Sequence, residues 1–262
     1  MLEAQDISYA VASRRLVDGV SLRAEPGALL AIIGHNGSGK STLLRLLSGE
    51  LKPSQGRVLL DGRSIGSITP AELAARRAVV PQSTVLSFPF TVLESVMLGV
   101  SVPGFDLNSN AASTLAAEMI SRVGLAGFEE RQFTKLSGGE RQRVSIARAL
   151  CQLAAAPPMP GATSVLLLDE PTASLDLTHQ TSILSYMREQ ARDGRAVIVV
   201  LHDLNLAAAF ADQVMLMSQG KTIGFGKPSD VLTDTLLSHS YGCPVRTNSL
   251  PPDDRPFFIP GA

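Results

Sequence analysis

Three unbroken apolar runs divide the chain: Leu29-Leu30-Ala31-Ile32-Ile33, Val165-Leu166-Leu167-Leu168 and Ala196-Val197-Ile198-Val199-Val200-Leu201. Each is strand-length and rich in branched residues, the pattern of strands buried on both faces in a parallel sheet. Residues 1–33 and 56–68 carry shorter alternating runs, with Asp18-Gly19, Pro26-Gly27 and Asp61-Gly62 as turns, and this predicts an antiparallel β layer. Residues 69–78 open Thr-Pro-Ala-Glu-Leu, a helix start with proline at its first position. From Thr91 to Gln152 apolar positions recur at helical spacing, broken at Pro103-Gly104 and between Gly124 and Gly127, which predicts a small helical subdomain. Ala154 to Ser164 reads as a long loop. Beyond it helices and strands alternate up to a hairpin over 217–225 and a final helix near 230–239. Residues 244–262 hold five prolines and an adjacent Phe257-Phe258 pair, an extended tail. The organisation is α/β: a core of 1–85 and 153–243, a helical insert over 86–152, and the tail. No internal repeat is evident.

Each buried strand leads into residues that carry chemistry. After the first comes Gly34-His35-Asn36-Gly37-Ser38-Gly39-Lys40-Ser41-Thr42, a full match to the phosphate-loop pattern, and then the helical run Leu43-Leu44-Arg45-Leu46-Leu47. Glycines let backbone amides close around phosphates, Lys40 reaches the β- and γ-phosphates, and the Ser41 hydroxyl suits Mg²⁺. The chain therefore binds a nucleoside triphosphate. The second run ends in Asp169-Glu170, carboxylates at the strand end where parallel sheets place ligands. Asp169 suits Mg²⁺, and Glu170, one residue beyond, is placed to orient or deprotonate water. The third run ends in His202-Asp203; His202 is either a satisfied structural residue or a sensor of the γ-phosphate.

A second glycine-containing element, Leu136-Ser137-Gly138-Gly139-Glu140-Arg141-Gln142-Arg143, opens a helix far from the phosphate loop. Ser137 with Glu140 three residues on is a capping-box pattern, and the glycines leave amides and the positive dipole end open to an anion. Its own phosphate loop has no need of this, so the element is expected to complete a nucleotide site on another copy of the chain.

Net charge −1 and pI ≈ 6.4 give no electrostatic case for a nucleic-acid partner. Cys151 and Cys243 form neither a disulfide framework nor a metal-ligand spacing and are expected to be reduced thiols. No basic segment followed by an apolar stretch opens the chain, and no apolar run approaches the ~20 residues that span a bilayer.

In order and spacing these motifs resemble the ATP-binding subunits of ABC transporters over nearly the whole chain. The resemblance implies a P-loop NTPase (RecA-like) core with an antiparallel β layer and an inserted helical subdomain. It assigns Tyr9 as the aromatic residue stacked on adenine, Gly34 to Thr42 as the Walker A loop, and Gln82 after Val79-Val80-Pro81 as the Q-loop glutamine and a metal contact. Leu136 to Glu140 correspond to the LSGGQ element with Glu in place of the usual Gln. Asp169 and Glu170 correspond to Walker B, Ser174-Leu175-Asp176 to the D-loop, and His202 to the switch histidine. Tyr9 also reads as an ordinary half-buried strand tyrosine. Just after Gln82, Val85-Leu86-Ser87-Phe88-Pro89-Phe90-Thr91-Val92 is either core packing or an apolar groove for a permease helix.

The resemblance further implies an ATP hydrolase working with Mg²⁺ as an ATP-dependent homodimer. Such a subunit sits peripherally on the cytoplasmic face of the inner membrane, partnered by a permease and, indirectly, by an external substrate-binding protein. Within the importers for iron chelates, haem and cobalamin, residues 79–92 and the Ala-Pro-rich loop before Walker B are most similar to the haemin-import ATPases. A ferric-siderophore or cobalamin importer is the alternative within transport, and a non-transport ABC ATPase the alternative outside it. A single cassette without sustained heptads argues against the latter.

Overall fold

The computed structural model describes residues 1–83, 88–102, 104–105 and 107–249. Along the chain lie β1 (Leu2–Val11), β2 (Arg14–Ala24), β3 (Leu29–Ile33), α1 (Lys40–Leu47), β4 (Gln55–Leu60), β5 (Arg63–Ser64), α2 (Pro70–Arg76), β6 (Arg77–Val80), α3 (Val92–Met97), α4 (Ser109–Arg122) and α5 (Gly138–Ala155). Next come β7 (Val165–Asp169), α6 (Leu177–Arg192), β8 (Ala196–Val200), α7 (Leu204–Phe210), β9 (Gln213–Ser218), β10 (Lys221–Gly226), α8 (Pro228–Val231) and α9 (Asp234–Tyr241).

Two sheets form. One is antiparallel, in the order β2-β1-β4-β5; the other runs β10-β9-β3-β8-β7-β6 and is parallel except for β10. β3, β7 and β8 are buried at every position, because both faces of the parallel sheet are covered. The period-two alternation sorts their side chains into two cores. Leu29, Ala31 and Ile33, with Leu166, Leu168, Val197 and Val199, join the buried faces of α3–α7. Leu30 and Ile32, with Val165, Leu167, Ile198 and Val200, join α1 and the antiparallel layer. The helical insert thus shares a core with one face of the sheet, and the β layer with the other.

Several expected details shift. Leu29–Ile33 belongs to the parallel sheet and not to the β layer. Asp18-Gly19 is no turn: it lies inside β2, where Tyr9 pairs with Val17 but Ile7 with Val20, so one strand carries an extra residue. This is a β-bulge; Gly19 takes φ +63° and its amide donates to Ser8 Oγ at 2.9 Å. The β1–β2 reversal falls instead between Val11 and Arg14. Asp61-Gly62 does turn the chain, with both residues at positive φ as a two-residue hairpin requires. α5 runs to Ala155, so the loop begins at 156, and the expected last helix is two, α8 and α9. The hairpin expected over 217–225 is β9–β10. Pro103, residues 84–87 and the tail from Leu250 on lie outside the described residues. Among the described residues no helix is long and apolar enough to cross a membrane.

Candidate nucleotide site

The phosphate loop is shaped by contacts that only glycine tolerates. A Cβ on Gly39 (φ +104°) would stand 2.3 Å from Leu16 O, and one on Gly34 (φ +145°) 2.2 Å from Met217 O. The β9–β10 turn holds the loop from the same side, with the Gly220 amide donating to Ser38 O at 2.9 Å. α1 then starts at Lys40 with no side-chain cap, whereas α2 to α7 and α9 are each capped by a side chain at the preceding residue. Its first-turn amides are left for an anion.

In front of that turn lies a cavity of about 390 Å³ lined by Arg14, Leu16, Asn36, Gly37, Gly39, Lys40, Ser41, Thr42, Gln82, Glu170 and His202. Gly34, His35 and Ser38 form the rest of the loop: His35 Nδ1 lies 2.7 Å from Asn36 O, and Ser38 is fully buried. Lys40, 5% exposed, donates to Gly34 O at 2.8 Å and His35 O at 3.1 Å, so its ammonium lies folded on the loop's own carbonyls. Burial lowers its pKa, and the Glu170 and Asp169 carboxylates oppose that.

The strand-end carboxylates take different partners. Ser41 Oγ donates to Asp169 Oδ1 at 3.2 Å, and burial pushes the Asp169 carboxyl up against the opposing hydrogen bond from Ser41. A desolvated carboxylate beside a hydroxyl is an all-oxygen donor set that suits Mg²⁺ with phosphate oxygens and water completing the shell. Glu170 is held from both sides: Gln82 Nε2 donates to Oε2 at 2.7 Å, and His202 Nε2 lies 2.5 Å from Oε1. Gln82, expected at the metal, is thus bonded to the carboxylate next to it. His202 stands two residues beyond β8 with its side chain 42% exposed.

Tyr9 stands apart from the cavity lining. It pairs with Val17 and packs half-buried on the core beneath the β layer. Arg14 and Leu16, brought to the cavity by the β1–β2 reversal, were not legible as site residues, because only the long-range placement of that hairpin puts them there.

Ser137, Gly138, Gly139 and Asp176 also lie outside this cavity. Ser137 caps α5 in a capping box: its Oγ accepts from the Glu140 amide at 3.3 Å, and the Glu140 carboxylate accepts from the Ser137 amide at 2.7 Å. That amide holds the Glu140 carboxyl below its usual range. Ser137 and Gly138 are exposed although most of α5 is buried. A Cβ on Gly139 would meet Ser174 O at 2.6 Å, so the helix start is seated against the 174–176 turn. There Asp176 caps α6 by accepting from the His179 amide at 2.9 Å.

A phosphate loop followed by a helix, with a paired-carboxylate strand end beside it, defines the class of P-loop NTPases. Residues 17–173 match the ABC transporter family model. The chain belongs to the ABC transporter family and is its ATP-hydrolysing cassette. It is 48% identical to the hemin import ATP-binding protein HmuV of Rhizobium meliloti (strain 1021), over 99% of this chain and 98% of the relative. It is 46% identical to the protein of the same name from Jannaschia sp. (strain CCS1), over 99% and 94%. Among solved structures, the dimeric ABC transporter cassette MJ0796 matches with a TM-score of 0.75 at 28% identity, over 87% of this chain and 99% of that one. The ADP conformation of the cassette MJ1267 matches with a TM-score of 0.76 at 26% identity, over 92% and 98%.

Proposed function

We propose that this chain powers the import of haem through a separate membrane permease, as an ATP-dependent homodimer on the cytoplasmic face of the cell membrane. The observation that carries the cargo is its near full-length likeness to proteins named hemin import ATP-binding proteins. Among the described residues no pair of haem ligands is evident: His35 and His202 belong to the nucleotide motifs, His179 Nδ1 is paired with Asp176 at 2.7 Å, and His239 is exposed on α9 with no second ligand beside it. Specificity therefore resides in the permease and an external binding protein.

The chemistry is positioning and charge. Lys40 would exchange the Gly34 and His35 carbonyls for β- and γ-phosphate oxygens. Ser41 and Asp169, with Gln82 nearby, would hold Mg²⁺, which supplies positive charge to the phosphate oxygens when bound. Glu170, steadied by Gln82 and His202, orients the attacking water and takes its proton. Ser137, Gly138 and Gly139 of a second copy close over the γ-phosphate, so that ATP joins the two copies and hydrolysis releases them. The exposed aromatic segment after Gln82 is the proposed seat of the permease helix.

The test is ATP-driven uptake into vesicles that contain the native complex and its binding protein, with haem, a ferric siderophore and cobalamin compared. Haem uptake is expected. Uptake of either other ligand without haem would overturn the cargo and leave the ATPase mechanism standing.

A further inference from the structure

The nucleotide cavity has two flanks, and the strand order sets them. β3, which leads into the phosphate loop, lies between β9–β10 on one side and β8-β7-β6 on the other. Gln82, Glu170 and His202 follow β6, β7 and β8, so the groups placed at the γ-phosphate all come from one side. The β9–β10 turn and β2 close the other side. Gly220 joins both to the loop: its carbonyl accepts from the Asp18 amide at 2.9 Å, while its amide donates to Ser38 O at 2.9 Å. Leu16 O lies against Gly39, where a Cβ would stand 2.3 Å away. β2 is thus fixed on the phosphate loop by its backbone.

From that flank the β layer contributes two residues to the lining, Arg14 and Leu16, which the strand period puts on one face. Arg14 closes the β1–β2 reversal opposite Val11, across a turn in which Ala12 takes φ +53°. Its side chain is exposed and, among the described residues, has neither a hydrogen bond nor an ion pair. Its neighbour Arg15, by contrast, is paired with Asp18 at 2.8 Å. The cavity's own carboxylates are engaged elsewhere, Asp169 by Ser41 and Glu170 by Gln82 and His202. A guanidinium without an acceptor beside a phosphate loop suits oxygen anions, which its fork of N–H groups matches in geometry.

We propose that Arg14 binds the α-phosphate. A triphosphate whose γ end faces Glu170 puts its nucleoside end on the β2 flank, and the guanidinium donates to phosphate oxygens there. Lys40 keeps the β- and γ-phosphates. The proposal rests on the nucleotide reading of the loop, and its test separates the two.

Binding of ATP, ADP, GTP and inorganic tripolyphosphate, each with Mg²⁺, is measured by equilibrium titration on the full chain as wild type, Arg14→Ala, Arg14→Lys and Arg15→Ala. Arg14→Ala should raise the Kd of all four ligands about three- to tenfold, between the range of an exposed ion pair and that of a charge-assisted hydrogen bond. Arg14→Lys should recover part of the loss. In the complex with the permease the loss should appear in the KM for ATP rather than in kcat. Arg15→Ala should bind as wild type, and the nucleotide-free Tm of Arg14→Ala should stay level, because the side chain has no partner there. Unchanged Kd values for Arg14→Ala would overturn the proposal. So would a loss for ATP and GTP that spares tripolyphosphate, which marks a contact with the nucleoside, or a loss for ATP that spares ADP, which marks the γ-phosphate. An equal loss in Arg15→Ala would overturn it too, as an effect of general surface charge. Failure of the wild type to bind ATP would overturn the nucleotide reading together with the proposal, whereas wild-type binding with Arg14→Ala unaffected removes the proposal alone.

Discussion

His202 Nε2 stands 2.5 Å from Glu170 Oε1, and Gln82 holds the other oxygen of the same carboxylate. Two residues expected to sense phosphate and metal therefore meet on the candidate base. Replacing Glu170 with Gln should preserve ATP binding, trap a closed dimer and lower turnover by roughly two to four decades, the span of a lost general base. Single-turnover hydrolysis and size-exclusion chromatography check it; wild-type turnover would remove Glu170 from the chemistry.

A mixed dimer of Lys40→Ala with Ser137→Arg chains should keep one composite site, whereas either pure dimer keeps none. Ser137→Arg also removes the α5 cap, at a cost of about 1 kcal/mol, so thermal melts must confirm that both chains fold. Equal inactivity of mixed and pure dimers would count against a shared site.

Phe88 is 69% exposed and meets Phe90 edge-to-face at 6.1 Å between centroids, so core packing does not account for it. Val85, Leu86 and Ser87, the other half of that expected groove, lie outside the described residues. Phe88→Ala with Phe90→Ala should weaken permease association, by more than about 2 kcal/mol if the pair is an anchor, and leave ATP affinity unchanged. Co-purification and nucleotide titration separate these, and an unfolded isolated variant would favour packing after all.

Asp61, in the β4–β5 turn, accepts from Arg76, from the Met1 ammonium and from the Thr163 amide and hydroxyl, tying the β layer to α2 and to the entry of β7. Burial would raise its pKa, but the ammonium and Thr163 hold it down to about 2 from an ordinary 3.8. A carboxyl lowered on folding stabilises fully above 3.8 and loses that contribution as pH falls through about 2. That lowering corresponds to about 2 kcal/mol at most; with solvent screening at this part-exposed group, Asp61→Asn should cost ~1–2 kcal/mol near neutral pH. Urea unfolding should show the deficit shrinking between about pH 4 and pH 2, and a pH-independent deficit would mean that the charge is not its source.

Local chemistry was legible: the strand–loop–helix around Lys40, the capping box of Ser137 and Glu140, and the Asp61-Gly62 hairpin all depend on residues a few positions apart. What was not legible has another origin. Asp18-Gly19 has turn composition, but pairing with β1 absorbs it as a bulge, which only the partner strand can decide. Gln82 meets Glu170 across 88 residues, a contact that no local spacing encodes.

Glu170 has a φ of +50°, in the left-handed region that glycine and asparagine enter far more readily. For a glutamate this costs of the order of 1–2 kcal/mol. A chain optimised for thermal endurance alone would discard glutamate here. Library selections for heat resistance should accordingly enrich Gly or Asn at 170 and yield sturdier chains that have lost turnover, so such screens need a catalytic filter at this codon.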